Sequence, residues 1–104
     1  MISSVMSSIS AIKADILRTD VSAHNTANIN TPGFAKTVVV QTSQDSGTEI
    51  TAMHKIESPS KRLSATDFAE ETAELIKAKA DLAFNSKVIK IQDKMLGELL
   101  DLKA

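Results

Sequence analysis

Apolar residues at the start of the chain recur at the spacing of an α-helix. Steps of three and four residues alternate along Ile2, Val5, Ile9, Ile12 and Ile16. This spacing places the five side chains on one narrow seam of a helix that is over by about residue 30. Serine fills most of the other positions near the N-terminus, and serine is a mediocre helix former. We therefore expect this helix to be marginal by itself and to depend on a partner surface.

The C-terminal third of the chain carries the strongest periodic signal. One apolar position repeats every seven residues, at Phe68, Leu75, Leu82, Ile89 and Leu96. The complementary seam positions are small or polar, namely Thr72, Ala78, Asn85 and Gln92. From residue 88 a second apolar stripe follows, at Val88, Ile91, Met95, Leu99 and Leu102. The pattern predicts a long helix over 67–102 whose second half is apolar on two faces, which is typical of a helix buried among several neighbours.

Two segments between the helices have β-strand character. β-branched residues dominate 37–42, a polar turn follows at 43–47, and 48–53 partly alternates between polar and apolar residues. These features predict a β-hairpin. Two strands alone are barely stable, so the hairpin must lie against a helix or a neighbouring molecule. Residues 58–66, which include a proline, predict an extended connection back to the helices.

The predicted fold is therefore mainly α, with three segments. Long helices at 1–30 and 67–104 pair as an α-helical coiled coil, and 31–66 supplies a Pro-Gly turn, a small β-hairpin and the extended connection. The N-terminal helix is shorter than the C-terminal helix by about 14 residues, or roughly 21 Å. It cannot cover both apolar faces of its partner, so the remaining surface must meet other copies or other proteins. An ordinary dimeric coiled coil is the simpler alternative.

The stretch that ends the first helix is rich in turn-forming residues. Its asparagines bond nearby backbone groups and tolerate left-handed conformations, and proline followed by glycine favours a type II turn. The stretch comprises Asn25, Asn28, Asn30, Thr31, Pro32, Gly33 and Phe34. The last helix also has a clear start, because Thr66 or Asp67 is a good N-cap. The acidic residues Glu70, Glu71 and Glu74 are expected to form a solvated first turn favoured by the helix dipole.

Two motifs resemble the signatures of bacterial flagellar rod and hook proteins. The first is Ala27-Asn28 followed by Asn30-Thr31-Pro32-Gly33-Phe34, about thirty residues from the start and directly after an amphipathic helix. The second starts at Asp67 and continues through Leu75-Ile76 to a stretch that contains Asn85 and Lys87. Together with the helices that carry them, over 1–34 and 67–102, the two motifs cover about two thirds of the chain. One departure is Lys79-Ala80-Asp81-Leu82, where the family commonly has Gln-Arg-Ala-Tyr.

The resemblance implies a structural subunit of the flagellar basal-body rod, similar to the short proximal rod proteins. Such proteins self-assemble through their terminal helices into the axial tube that transmits torque. The implied partners are copies of the chain, other flagellar rod proteins and the flagellar export apparatus, which reads uncleaved N-terminal segments. The implied location is the basal body in the cell envelope. A soluble helical adaptor or export chaperone that binds partner helices is the alternative from a different class.

Composition removes most other functions. The formal net charge of −1 gives no electrostatic footprint for nucleic acid, and the absence of cysteine removes disulfides and Cys-type zinc sites. The two histidines, His24 and His54, lie in different elements without metal-site spacing, so we expect no enzyme activity and no cofactor. The first 24 residues contain neither a membrane span nor a cleavable secretory signal, so we expect no direct membrane insertion.

Overall fold

The chain forms two helices with a small β-hairpin between them. The computed structural model describes residues 2–45 and 47–103. In chain order the elements are α1 (Ile2–Ala27), β1 (Lys36–Gln44), β2 (Gly47–Ile56) and α2 (Phe68–Lys103). The mainly helical fold with a two-stranded antiparallel sheet agrees with the prediction from the sequence. The molecule is elongated, with extents of 67 × 22 × 14 Å.

The two helices pack side by side in opposite directions. Arg18 and Ser22, near the end of α1, bond to Glu74 and Glu71, near the start of α2. The 26 residues of α1 span roughly 39 Å and the 36 residues of α2 roughly 54 Å at the helical rise. Because the helices are aligned at this end, α2 extends past the N-terminus of α1. All side chains from 93 to 102 are exposed as a result.

The hairpin lies along α1. Its register runs from Lys36 opposite Ile56 to Gln44 opposite Gly47, with one irregularity after Val40. At the tip, the Thr48 N–H donates to the Ser10 hydroxyl of α1 over 3.1 Å. Ser46, part of the predicted turn, lies outside the described residues. The tip thus rests on the helix, which supplies the support that two strands require.

Glycine is required at the point of contact between the hairpin and α1. Gly47 has a φ of +133°, and a Cβ placed on it would lie 2.1 Å from the Ser10 Oγ and 3.1 Å from the Ser7 Cα. The backbone conformation and the close approach both favour a residue without a side chain.

The segment after α1 is a type II turn. The Phe34 N–H donates to the Thr31 carbonyl over 3.2 Å, and Gly33 has a φ of +70°. This is the turn that the Pro-Gly pair predicts. The Gly33 N–H also donates to the Leu63 carbonyl over 3.0 Å, which attaches the turn to the connection before α2.

The connection between β2 and α2 is less extended than predicted. The Leu63 N–H donates to the Ser60 carbonyl over 3.2 Å and closes a turn. The Ser58 hydroxyl donates to both of these residues' carbonyls. Serine side chains that bond the local backbone favour such a compact path.

The interior contains very little apolar material. In the described part of the chain, the fully buried apolar side chains are those of Ala14 and Ala78. The fully buried polar residues are Ser8, Asp15, Ser22, Asn25, Lys36 and Glu71. Neither described helix has a stretch that is both long and apolar enough to cross a bilayer. The fully buried contacts between elements are therefore mostly polar, and the large aliphatic side chains are half-buried or exposed.

Candidate helix-assembly site

The face of α1 that packs against α2 is polar. Arg18, Ser22 and Asn25 bond directly to α2. Buried and half-buried residues continue this face toward the N-terminus in steps of three and four. We call the set the polar seam, and it consists of Ser4, Ser8, Ala11, Asp15, Arg18, Ser22 and Asn25.

The apolar seam predicted for α1 lies on other faces of the helix. Ile2, Ile9 and Ile16 are exposed, whereas Val5 and Ile12 are half-buried. The difference arises because α1 has two neighbours, the hairpin and α2, and Ile2, Ile9 and Ile16 point away from both. Met6 joins them, so that the α1 outer face consists of Ile2, Met6, Ile9 and Ile16, exposed by 41% to 79%.

The matching face of α2 combines predicted and unpredicted positions. Its buried and half-buried residues are Glu71, Leu75, Ala78, Leu82, Asn85, Ile89 and Gln92. The predicted sevenfold positions Leu75, Leu82 and Ile89 lie on this face. The first and last positions of that series, Phe68 and Leu96, are exposed. Leu96 is exposed because it lies in the part of α2 beyond the start of α1.

Asn25 joins three elements through its amide. Its Nδ2 donates to the Thr37 carbonyl over 2.8 Å and to Glu71 Oε1 over 3.2 Å, and its Oδ1 accepts the Thr37 N–H over 3.0 Å. The other Glu71 oxygen accepts from the Ser22 hydroxyl over 2.6 Å. Asn25 is 1% exposed, so this polar junction is sealed from water. Each of its buried polar groups has a partner, as buried groups require.

Arg18 lies among three carboxylates. Its guanidinium is 2.9 Å from Glu74, 3.4 Å from Asp15 and 3.5 Å from Asp81, measured between nitrogen and oxygen atoms. Burial acts to lower the pKa of Arg18, but the hydrogen bond and charge of Glu74, with the charges of Asp15 and Asp81, raise it above its ordinary value. Burial raises the pKa of Asp15, Asp81 adds to this shift, and Arg18 opposes it.

The first turn of α2 is only in part the solvated acidic cluster that the sequence indicated, because Glu70 and Glu74 are exposed and Glu71 is buried. Glu71 is buried in the polar junction, Glu74 pairs with Arg18, and the Glu70 carboxylate lies 2.9 Å from the Lys36 ammonium. The expectation was wrong for Glu71, because it considered the helix dipole alone and not the packing of α1 and β1 against the first turn. A signal was present in the sevenfold spacing of polar residues, at Ser8, Asp15 and Ser22 in α1.

The Asn-rich turn is held together by its own side chains. Asn28 donates to the His24 carbonyl over 2.9 Å and accepts from the Thr31 hydroxyl over 3.1 Å. The Phe34 ring packs edge-on against His24, with the ring centroids 5.6 Å apart. Asn30 and Pro32 are exposed. The stretch therefore ends α1 and sets the direction of the chain into β1.

The residues of the second motif have separate roles. Asp67 is the N-cap of α2, because its carboxylate accepts the Ala69 N–H over 2.9 Å. Asn85 is half-buried and donates to the Asp81 carbonyl over 3.0 Å within α2. Lys87 is exposed. Their proximity in sequence does not create a common pocket.

The largest apolar surface of α2 lies at its C-terminal end. Val88 is half-buried, but the rest of the predicted second stripe is 50% to 84% exposed. We call these residues the α2 end stripe: Ile91, Met95, Leu99 and Leu102. Leu96 and Leu100 flank the stripe and are also exposed. Monomeric proteins rarely expose such contiguous apolar surface, and its presence indicates an interaction site.

Comparison of the chain with protein-family models gives no match, and comparison with curated proteins gives none. Among the described residues, no group of three or more His, Cys, Asp or Glu side chains is placed to hold a metal ion. The feature of the surface that calls for a functional explanation is therefore the apolar area on the two helices.

Proposed function

We propose that this protein is a structural subunit of the bacterial flagellar basal-body rod. The observation that carries the proposal is the distribution of apolar side chains. Two alanines are the fully buried apolar residues of the described chain, whereas the α1 outer face and the α2 end stripe are exposed. An elongated molecule of this kind gains its apolar contacts by assembly.

In the assembled state, α1 and α2 pair as an α-helical coiled coil. The support is the alternation of three- and four-residue steps on both contacting faces, the polar seam of α1 and residues 71–92 of α2. The outward apolar residues then face copies of the chain or other rod proteins. The hairpin braces the outside of the helix pair, where its tip rests on α1.

The turn at 31–34 supports the same proposal. Thr-Pro-Gly-Phe resembles the rod and hook signature, and its four residues form a compact type II turn attached to the connection before α2. This arrangement joins the end of one axial helix to the start of the other. The flagellar export apparatus is the proposed route to the basal body, where the chain has no role in nucleic-acid binding, membrane insertion or enzyme catalysis.

Purified basal bodies provide the test. We expect antibodies to detect the protein in basal bodies from the wild-type host, and deletion of its gene to leave the rod missing or shortened. Complementation with the wild-type gene should restore the rod, whereas Ile9→Glu, which places a charge on the α1 outer face, should not. Lys90→Glu, at an exposed position of α2 that already carries a charge, is the control.

A soluble adaptor or export chaperone would give a different result. Such a protein would remain in the soluble fraction, and its deletion would leave rods of normal length in those basal bodies that form. Intact basal bodies without the protein would therefore refute the proposed rod function.

A further inference from the structure

The charged cluster around Arg18 carries more negative charge than its one guanidinium balances. The Asp15 and Asp81 carboxylates both lie within 3.5 Å of the same Arg18 nitrogen, Nη1. The other nitrogen, Nη2, donates to Glu74 over 2.9 Å. With all three carboxylates ionised, the cluster has one positive and three negative charges, a net charge of −2. Asp15 belongs to α1 and Asp81 to α2, so their repulsion acts across the contact between the helices.

The three carboxylates differ in their access to water. The side chains of Glu74 and Asp81 are 48% and 49% exposed, whereas that of Asp15 is 6% exposed. Oδ1 of Asp15 accepts a hydrogen bond from Arg18, but Oδ2 is buried and has no hydrogen-bond partner in the described part of the chain. A buried ionised oxygen without a partner costs far more than a buried neutral carboxyl group. Asp15 is therefore the member of the cluster that most favours a proton.

Other cations are poorly placed to neutralise Asp15. Because Oδ2 is buried, a side chain or a hydrated ion reaches it only when the helices part. The hairpin contributes the Lys36 ammonium, which lines the same cavity as Arg18 but is paired with Glu70. A proton on the carboxyl group itself remains. Burial and the charge of Asp81 accordingly raise the pKa of Asp15, although Arg18 opposes this shift.

We propose that Asp15 is a proton-operated latch between α1 and α2. With the proton in place, the polar seam closes around a neutral carboxyl group, and the cluster carries one negative charge less. Loss of the proton leaves a buried carboxylate that repels Asp81, and the hydration of both groups then favours parting of the helices at this point. This inference goes beyond the proposed function and does not depend on it, because it concerns the pairing of two helices within one molecule.

Carboxyl chemical shifts test the proton site. Carbon-13 NMR of the full-length protein follows the titration of each aspartate, and the Asp15→Asn variant identifies the Asp15 signal by its absence. We expect Asp15 to titrate above the ordinary value of 3.8, and Asp81→Asn to lower its midpoint by removing the repelling charge. A midpoint at or below 3.8 would overturn the proposal. So would a midpoint that Asp81→Asn leaves unchanged.

Spin labels on the two helices test the latch itself. The natural chain contains no cysteine, so the labels are attached at Ala23→Cys in α1 and Ala73→Cys in α2, both at exposed and uncharged positions. Double electron–electron resonance then measures the fraction of molecules with parted helices at several pH values, with excess unlabelled protein to remove signals between copies. For each pH unit between the ordinary pKa of Asp15 and its pKa in the paired helices, the ratio of parted to paired molecules should rise about tenfold from acid to neutral pH.

Variants of the labelled protein separate the latch from a general effect of pH. Asp15→Asn is neutral at every pH and should keep the ratio of parted to paired molecules constant. Asn30→Ala, at an exposed position without a titratable group, should follow the profile of the labelled parent. A parent ratio that does not change with pH would overturn the proposal, and so would a profile that persists in Asp15→Asn. If circular dichroism shows that Asp15→Asn loses its helices, Asp81→Asn provides the comparison and should shift the profile to lower pH.

Discussion

At the scale of single residues, polar side chains make the contacts that fix how α1, β1 and α2 pack together. Asn25 was placed in the turn motif by its sequence context, but the structure uses it as a link between α1, β1 and α2. Its amide pairs with both backbone groups of Thr37, much as a neighbouring strand would. Sequence alone does not reveal this role, because the partners are 12 and 46 residues away.

Replacing Asn25 with alanine should destabilise the fold. Thr37 would lose two partners and the buried Glu71 would lose one, and each unsatisfied buried group costs about 1–3 kcal/mol. Urea unfolding followed by circular dichroism measures the loss. Asn30→Ala is the matched control, because Asn30 is exposed and its loss should leave the midpoint nearly unchanged. Equal midpoints for both variants would contradict the role assigned to Asn25.

Asp15 should make stability depend on pH. Its pKa is raised above the ordinary value of 3.8, chiefly by burial, so the folded state binds a proton more tightly than the unfolded state does. The contribution of this group to stability therefore falls as pH rises from about 4 to the raised pKa. Asp15→Asn removes this fall and should raise the melting temperature at pH 7 more than at pH 4.

Thermal melts at several pH values provide the measurement for Asp15. Asn30→Ala, at an exposed position without a titratable group, is the control and should leave the dependence of the melting temperature on pH unchanged. If the melting temperature of the Asp15→Asn variant fell more steeply with pH than that of the wild type, the ion pair with Arg18 would affect the pKa of Asp15 more than burial does.

At the scale of elements, local sequence signals predicted where helices and strands lie, but they did not predict which faces of the helices are in contact. The limits of α2 agree within one residue of the predicted 67–102, because an N-cap and an uninterrupted period mark the helix. The hairpin is also as predicted, because β-branched residues and a polar turn act locally. The face of α1 that contacts α2 was not the predicted one, because apolar periodicity identifies an apolar face without identifying what that face packs against. In this chain Ile2, Ile9 and Ile16 of that face point outward, and the polar seam points inward.

Two glycine substitutions should have opposite effects. Gly33→Ala places a Cβ at a φ of +70° and should cost about 1 kcal/mol, since the nearest atom is 3.5 Å away and the backbone conformation is the main penalty. Gly97→Ala should stabilise α2 by about 1 kcal/mol, because a Cβ there meets no atom within 4 Å. Urea unfolding of Gly33→Ala and the helix content of Gly97→Ala measure the two effects. A loss of helix in Gly97→Ala would contradict the exposed position of this residue.

At the scale of the whole molecule, α2 is longer than α1, and its uncovered end leaves apolar surface available to other molecules. The sequence indicated that α1 is too short to cover α2, and residues 93–102 are exposed as that argument requires. The near absence of a buried apolar core was not predicted. It depends on which faces α1 turns toward its two neighbours, and composition carries no information about that choice.

Stability should therefore depend on protein concentration. In the described part of the chain the fully buried apolar side chains are two alanines, so dilute protein should melt broadly and with frayed helix ends. Concentrated protein should melt at a higher temperature, because association stabilises the folded state by mass action. Circular dichroism melts at two concentrations, with sedimentation at each, measure both effects. A sharp melt at one unchanged temperature would contradict assembly as the source of stability.

The polar seam has a further thermodynamic consequence. Hydrogen bonds and ion pairs close much of it, and Leu75, Leu82 and Ile89 on the opposite face are only half-buried. Parting the two helices therefore transfers less apolar area into water than parting two fully apolar faces would. The heat-capacity increment and the denaturant slope of that step are correspondingly small. A separation of α1 from α2 would therefore add only moderately to the apolar surface that the α1 outer face and the α2 end stripe already expose.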